Sequence, residues 1–296
     1  MLLAVPNISE GRDRARIDAI SAAFAAGPAL LDTHSDPIHN RTVLTLSALP
    51  GSFPEALASG ASACAEQIDM RRHAGAHPCI GALDVCPIVW LAASDREAAR
   101  EEALSAAGRI ASRVGVPVFL YGELAAWPSR RERAFFREGG LVELHSRMAS
   151  GELRPDFGPG EPHPTAGATL VTARPPLAAF NIELEGASIA SGRAIASHLR
   201  ESGGGLPGVR AIGIDLGSGR TQVSTNVHDP LAVPLAQVVE RVRELASPYG
   251  ATVAGAEIVG LVPKAALADW PADVALPGFD PSKHVIERRV GTQRRG

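Results

Sequence analysis

Lysine is almost missing from the 296-residue chain: Lys264 and Lys283 are the only two. Positive charge is therefore nearly all arginine. The formal net charge is -3 at pH 7, so no global basic field argues for nucleic acid. Cysteine is scarce as well. Cys64, Cys79 and Cys86 lack zinc-ribbon spacing, which argues against a disulfide framework and for a reducing compartment. Apolar runs such as Val85–Ala93 are too short to span a bilayer. The opening Met1–Gly11 has no basic stretch leading into a long apolar segment, so no signal peptide is expected and a cytoplasmic location fits. On that expectation the sequon matches at Asn7-Ile8-Ser9 and Asn40-Arg41-Thr42 carry little weight.

What is present is an ordinary globular profile, 45% hydrophobic and 21% charged, long enough for two modest cores. Hydrophobic periodicity predicts a strand at Leu2–Val5, a helix near Arg12–Ala26, and strands at Ala29–His34 and Arg41–Leu46. A helix near Pro54–Asp69 and a strand at Asp84–Leu91 follow. That order is β-α-β-β-α-β. Ser94 with Glu97 reads as a capping box opening a further helix. Val116–Tyr121 reads as a short strand and Arg130–Met148 as mixed, mainly helical. Gly151–Gly167, rich in Pro and Gly, is either an inter-domain linker or a binding loop. Beyond it come strands at Ala168–Thr172 and Ala178–Glu185, a helix at Ser188–Ser202, strands at Val209–Leu216 and Thr221–Val227, a helix at Pro234–Tyr249 and a strand near Ala251–Leu261. The second half thus repeats the β-α-β-β-α-β order, and two half-domains with a cleft between them are expected.

The segment Ile68–Pro87 reads IDMRRHAGAHPCIGALDVCP. Gly75, Pro78 and Gly81 stop it from continuing a helix, so it commits His73, His77 and Asp84 to a loop at the mouth of a strand. His77 suits proton transfer near neutral pH; the plainer reading is a histidine that only bonds to backbone. A metal pair of His73 and His77 needs a helix to bring them onto one face, and Gly75 and Pro78 spoil it, so no metal is expected. The run Asp32–Thr42 gathers His34, His39, Asn40 and Arg41 at one sheet end. Arg41 could hold a carboxylate bidentately, or the run is a solvated hairpin served by its Asn and Asp. Gly203–Gly205 and Gly213–Gly219 lack the G-x-G-x-x-G spacing and read as turns. Arg288, Arg289, Arg294 and Arg295 read as a solvated basic tail.

Several motifs in fixed order resemble the formiminotransferase family. They are Val5-Pro6-Asn7-Ile8-Ser9-Glu10-Gly11, Asn40-Arg41-Thr42-Val43, Ile68-Asp69-Met70, and Gly75-Ala76-His77-Pro78 through Gly81–Pro87. Pro155–Pro159, Asn181-Ile182, Gln222–Asn226 and Val259–Pro263 extend the resemblance over essentially the whole chain. It implies an α+β fold of two ferredoxin-like β-α-β-β-α-β subdomains, 1–177 and 178–296, whose sheets face a shared substrate groove. It also implies a homodimer, with no cyclodeaminase domain attached.

The implied reaction passes the formimino group from N-formimino-L-glutamate to tetrahydrofolate in histidine breakdown, with tetrahydrofolate as co-substrate and no metal, nucleic acid or membrane partner. The resemblance puts the catalytic histidine at His77. It puts the folate-binding segment at Gly158, Pro159, Gly160, Glu161, Pro162, His163, Pro164, Thr165, Ala166 and Gly167, with Gly208 a further folate contact and Asn7, His34 and Arg41 also at the substrates. The alternatives are a related formyl transfer and a catalytically weak folate-binding protein. Three residues depart from the family pattern: Cys79 stands where an Arg usually follows His-Pro, His34 replaces an acid, and Ala166 replaces a Trp. The neutral Cys79 is expected to leave a dicarboxylate donor short of a cation and poorly handled, with Arg41, Arg71 and Arg72 as substitutes.

Overall fold

The computed structural model describes residues 1–217 and 219–293; Arg294 and Arg295 of the expected basic tail lie outside them. The chain is mixed α+β with two sheets, and it divides into two compact units, Met1–Pro175 and Pro176–Gly296.

The first unit runs β1 (Leu2–Ala4), β2 (Asn7–Ile8), α1 (Arg14–Phe24), β3 (Ala29–Asp36), β4 (Arg41–Ala48), α2 (Phe53–Gln67) and β5 (Leu83–Trp90). It continues with α3 (Arg96–Val114), β6 (Val118–Leu120), α4 (Arg133–Arg137), α5 (Gly140–Ala149) and β7 (Thr169–Arg174). In the sheet β3 flanks β4, and β1 and β2 form consecutive pieces of one line between β4 and β5; β7 and then β6 follow β5. The β5–β7 and β7–β6 pairs are parallel and the others antiparallel.

Every residue of β5 is buried, which explains its unbroken apolar run. Cys86, Ile88 and Trp90 join a core with Ile20 and Phe24 of α1, Leu57 of α2 and Ile110 of α3. Val85 points to the other face, among Phe119, Phe136, Leu144 and Leu170. Pro87 has no N–H to give the ladder. It falls opposite the Val5–Pro6 break between β1 and β2, where its carbonyl accepts the Val5 N–H at 2.9 Å.

The second unit runs β8 (Ala178–Glu185), α6 (Ile189–Leu199), β9 (Val209–Gly217), β10 (Arg220–Val227), α7 (Leu235–Ala246) and β11 (Thr252–Ile258), then α8 (Pro281–His284) and α9 (Ile286–Gln293). Its sheet is antiparallel in the order β11-β8-β10-β9. Ser188 caps α6 by accepting the Ser191 N–H at 3.1 Å. On α7, Leu235, Val238, Val239, Val242 and Ala246 form one buried stripe; each fully buried Val or Leu contributes roughly 1.5–3 kcal/mol.

Four sequence expectations are corrected. The strand expected at Ala168–Thr172 is β7, which pairs with β5 and β6 in the first sheet rather than opening the second half. Gly151–Gly167 precedes it, so that stretch lies inside the first unit and is no linker. The Ser94–Glu97 capping box does not form, because a tight turn at Ala93–Asp95 moves the start of α3 onward and puts Asp95 at its N-cap; Glu97 instead lies 3.5 Å from Arg100. Gly213–Gly217, expected as a turn, is the end of β9. Ser218 of the same expected turn lies outside the described residues. No helix among the described residues is long and apolar enough to cross a membrane.

Candidate active site

The loop from Ile68 to Ala82 leaves α2 and enters β5. It is held against the β3–β4 turn because Gly75 has no side chain: a Cβ there would lie 2.2 Å from the His39 carbonyl oxygen. The Ala76 N–H donates to the Ile38 carbonyl at 3.1 Å. The turn itself is fixed by Asp36 Oδ1, which accepts the N–H groups of Ile38 at 2.7 Å and His39 at 2.8 Å. Asn40, at a φ of 49°, accepts the Gly11 N–H at 2.9 Å and donates to the Ala74 carbonyl at 3.2 Å and to His73 Nδ1 at 3.3 Å. Asn40 and Asp36 thus do serve the turn, and in doing so tie three distant stretches together. The outcome is a His77 ring centred 5.9 Å from the His39 ring.

Beside His77 lies a buried ion cluster. Asp84 is fully buried and accepts the Ile80 N–H at 2.9 Å and Arg41 Nη1 at 2.7 Å; Arg137 Nη2 also donates to it. Arg41 donates from Nε and Nη2 to Asn7 Oδ1 at 3.1 and 2.8 Å. Asn7 is oriented by its own bond to the Val5 carbonyl at 2.8 Å. Burial by itself would raise the Asp84 carboxyl, but Arg137 and Arg41 outweigh it and hold the group below the usual carboxylate range. His77 is shifted the other way relative to its charge. Burial lowers it well below the usual imidazole range, and Arg41, Arg137, Arg133 and His39 push in the same direction. His77 Nδ1 is buried with no hydrogen-bond partner among the described residues. The result is a neutral imidazole with an open proton site in a positive field.

Opposite the loop, Gly81 and Gly167 bridge: a Cβ on Gly81 would lie 1.9 Å from the Ala168 carbonyl oxygen, and Gly167 has a φ of +71°. The Ala82 N–H donates to the Ala166 carbonyl at 2.9 Å, Ala168 to Ile80 at 2.9 Å and Met70 to Thr165 at 2.7 Å. The segment Gly158–Gly167 is therefore stitched by main chain to both ends of the histidine loop. His163 and Gly167 exchange N–H···O bonds at 2.9 Å, and His163 Nδ1 accepts the Ala166 N–H at 3.0 Å. Pro164 and Thr165 lie within this closed loop, the run Pro159–Pro162 leads into it, and Ala166 is buried in the first unit's core.

Of the residues singled out from sequence, His77, Asn7, Arg41 and the 158–167 loop gather in the first unit. His34 is on β3, in register with Val43. Gly208 stands in the second unit at a φ of +69°, its carbonyl accepting the His228 N–H at 3.0 Å. Burial raises the Cys79 thiol, and Asp84 adds to the effect, so it stays neutral. Arg71, expected to substitute for a missing cation, is corrected: it is exposed and pairs with Asp69 at 2.7 Å, and Arg72 is exposed as well. The cations near His77 are Arg41 and, from α4, Arg133 and Arg137. Arg133 and Arg137 are one turn apart, with Phe136 between them anchored in the core beside Phe119 at 5.2 Å. Sequence reasoning missed both, although two arginines at helical spacing around an apolar Phe were the available signal. Among the described residues no group of three or more His, Cys, Asp or Glu could hold a metal ion.

Comparison with known proteins matches residues 1–174 to the N-terminal subdomain of the formiminotransferase domain and residues 179–272 to the formiminotransferase domain. A glutamate formimidoyltransferase of Streptococcus pyogenes serotype M1 is 37% identical over 290 residues, 97% of each chain. One of Thermoplasma acidophilum is 36% identical over 292 residues, 97% of this chain and 96% of that protein. A formimidoyltransferase-cyclodeaminase of Rattus norvegicus is 40% identical over 277 residues, 90% of this chain but 51% of that protein.

Proposed function

The chain belongs to the formiminotransferase family, and we propose that His77 is the proton carrier by which it moves the formimino group of N-formimino-L-glutamate to tetrahydrofolate. It is a transferase of one-carbon groups in histidine degradation. The observation that carries the role of His77 is its buried, unpartnered Nδ1 inside a loop pinned on both sides.

The chemistry follows from the field around the ring. N5 of tetrahydrofolate attacks the amidine-like carbon and must shed a proton; a neutral imidazole takes it. Once protonated, the ring is a cation among Arg41, Arg137 and Arg133. It is then a strong acid, and it passes the proton to the glutamate nitrogen as the carbon–nitrogen bond breaks. One group thus serves both halves, and holding both substrates in one place removes much of the entropic barrier.

Folate is assigned to the loop Gly158–Gly167, supported by its main-chain stitching to the histidine loop. Asn7 and Arg41 belong to the same reading through their mutual bonds. His34 and Gly208 are assigned by resemblance alone, as are a homodimer and a cytoplasmic location. Each unit is read as a ferredoxin-like split βαβ, a reading supported by the strand orders given above.

The test is steady-state transfer to tetrahydrofolate. His77→Ala should lower turnover by about two to four orders of magnitude with folate affinity nearly unchanged. Near wild-type turnover would reject His77 as proton carrier. N-formyl-L-glutamate, assayed in parallel, distinguishes formimino from formyl transfer.

A further inference from the structure

We propose that Arg133 and Arg137, on one face of α4, bind a carboxylate of the amino-acid donor and hold its transferable end against His77. This rests on the transfer reading above and names the residues that recognise the donor.

The argument begins with a charge imbalance. Arg41 and Arg137 share one carboxylate, Asp84. Arg137 Nε is buried with no hydrogen-bond partner. The side chain of Arg133, one turn earlier on the same helix, is only partly exposed; Tyr121 and Asp84 are the favourable charges near it, Arg137 and Arg41 the opposing ones, and its guanidinium makes no hydrogen bond or ion pair with a described residue. Three guanidiniums therefore crowd one buried anion. A half-buried guanidinium with unfilled donors is costly, and the geometry that keeps it is best understood as awaiting an anion from outside. Phe136, buried between them, prevents the helix from turning these arginines out to solvent.

A carboxylate suits this fork better than any neutral group, because guanidinium offers paired N–H donors in its plane. On the donor, the α-carboxylate is attached to the same carbon as the nitrogen bearing the formimino group. Anchoring it fixes the reacting carbon close by, beside the ring that must move the proton. The incoming negative charge also offsets the positive field that depresses His77, so the imidazole becomes a stronger base when the donor is in place.

The folate tail also carries carboxylates, so the experiment separates the two sources. For Arg133→Ala we expect the KM for N-formimino-L-glutamate to rise at least about tenfold while the KM for tetrahydrofolate stays within about twofold, with Arg133→Lys restoring part of the loss. Calorimetry with N-acetyl-L-glutamate, a dicarboxylate with no formimino group, should show binding to wild type that weakens by a similar factor in Arg133→Ala. The proposal is overturned by an unchanged donor KM with unchanged N-acetyl-L-glutamate binding, or by a KM rise confined to tetrahydrofolate. If wild type binds N-acetyl-L-glutamate through Arg133 yet transfers no formimino group, the anion site stands and the transfer reading falls. Thermal melting of both variants, which should match wild type, guards against a folding defect.

Discussion

The connection between the second helix and the last strand of the repeated β-α-β-β-α-β order runs from Ile68 to Ala82 in the first unit and only from Ser247 to Ala251 in the second. In the second unit the shorter path is a tight turn closed by the Gly250 N–H on the Ser247 carbonyl at 3.0 Å. In the first unit the longer path carries His73, His77 and Cys79 and leans on the β3–β4 turn. Burial differs in the same sense. The first unit encloses Asp84, Arg41 and His39, whereas the second encloses Asn181, Thr221, Gln222 and Thr225, polar but uncharged. Two similar element orders thus hold up two different kinds of interior. The sheets supply rigidity, and among the described residues buried charge is confined to the unit whose loop is long enough to fold back on the sheet end.

The sharpest way to break this comparison is to remove one histidine from each unit. His77→Ala should cost about two to four orders of magnitude in turnover. His198→Ala, on the exposed face of α6 with its Nδ1 2.8 Å from the Ala194 carbonyl, should leave turnover unchanged. Equal losses would show that the second unit shares the proton chemistry.

Removing an acid tests the buried charge next. Asp84→Asn leaves Arg41 and Arg137 buried without their counter-ion and should cost about 3–5 kcal/mol in denaturant unfolding. Glu183→Gln breaks the exposed pair with Arg220, 2.7 Å in the second unit, and should cost no more than about 1 kcal/mol. Comparable costs would mean the ion cluster is not what distinguishes the two interiors.

Gly75→Ala sharpens the role of the loop's close approach. The added Cβ meets the His39 carbonyl and must push the loop away, and a displacement of about 1 Å can lower kcat by about 10²-fold. Unchanged kcat would separate the position of His77 from this contact.

The smallest effect concerns pH. The unfolded chain takes a proton on His77 near the ordinary imidazole value, while the folded chain resists until well below it. Stability contributed by the neutral ring is therefore fully present above about pH 6.5 and lost as pH falls below it, at no more than about 1.4 kcal/mol per pH unit. His77→Gln should flatten the stability curve in that window; a parallel curve would show that His77 does not titrate as argued.

Much of the fold was legible because its signals are local. Alternating and helical periodicities mark β3, β4, α2, β8 and α7 within a few residues. Gly75, Pro78 and Gly81 announce the histidine loop by forbidding a helix. The Ser94 capping box misled because a tight turn ahead of α3 uses those residues instead, a choice that sequence spacing does not encode. The placement of β7 misled because pairing with β5 is a property of the sheet, not of the strand.

By itself, then, the sequence determined the element order, the irregular loop around His77 and the family motifs, since backbone propensity and hydrophobic period act over a few residues. Only the tertiary structure decided which charges meet. Asp84 is 43 residues from Arg41 and 53 from Arg137 along the chain. No local pattern joins them; they are brought together because β4 and β5 flank β2 in one sheet while Phe136 fastens α4 to its other face, and an ion cluster forms where those two packings coincide.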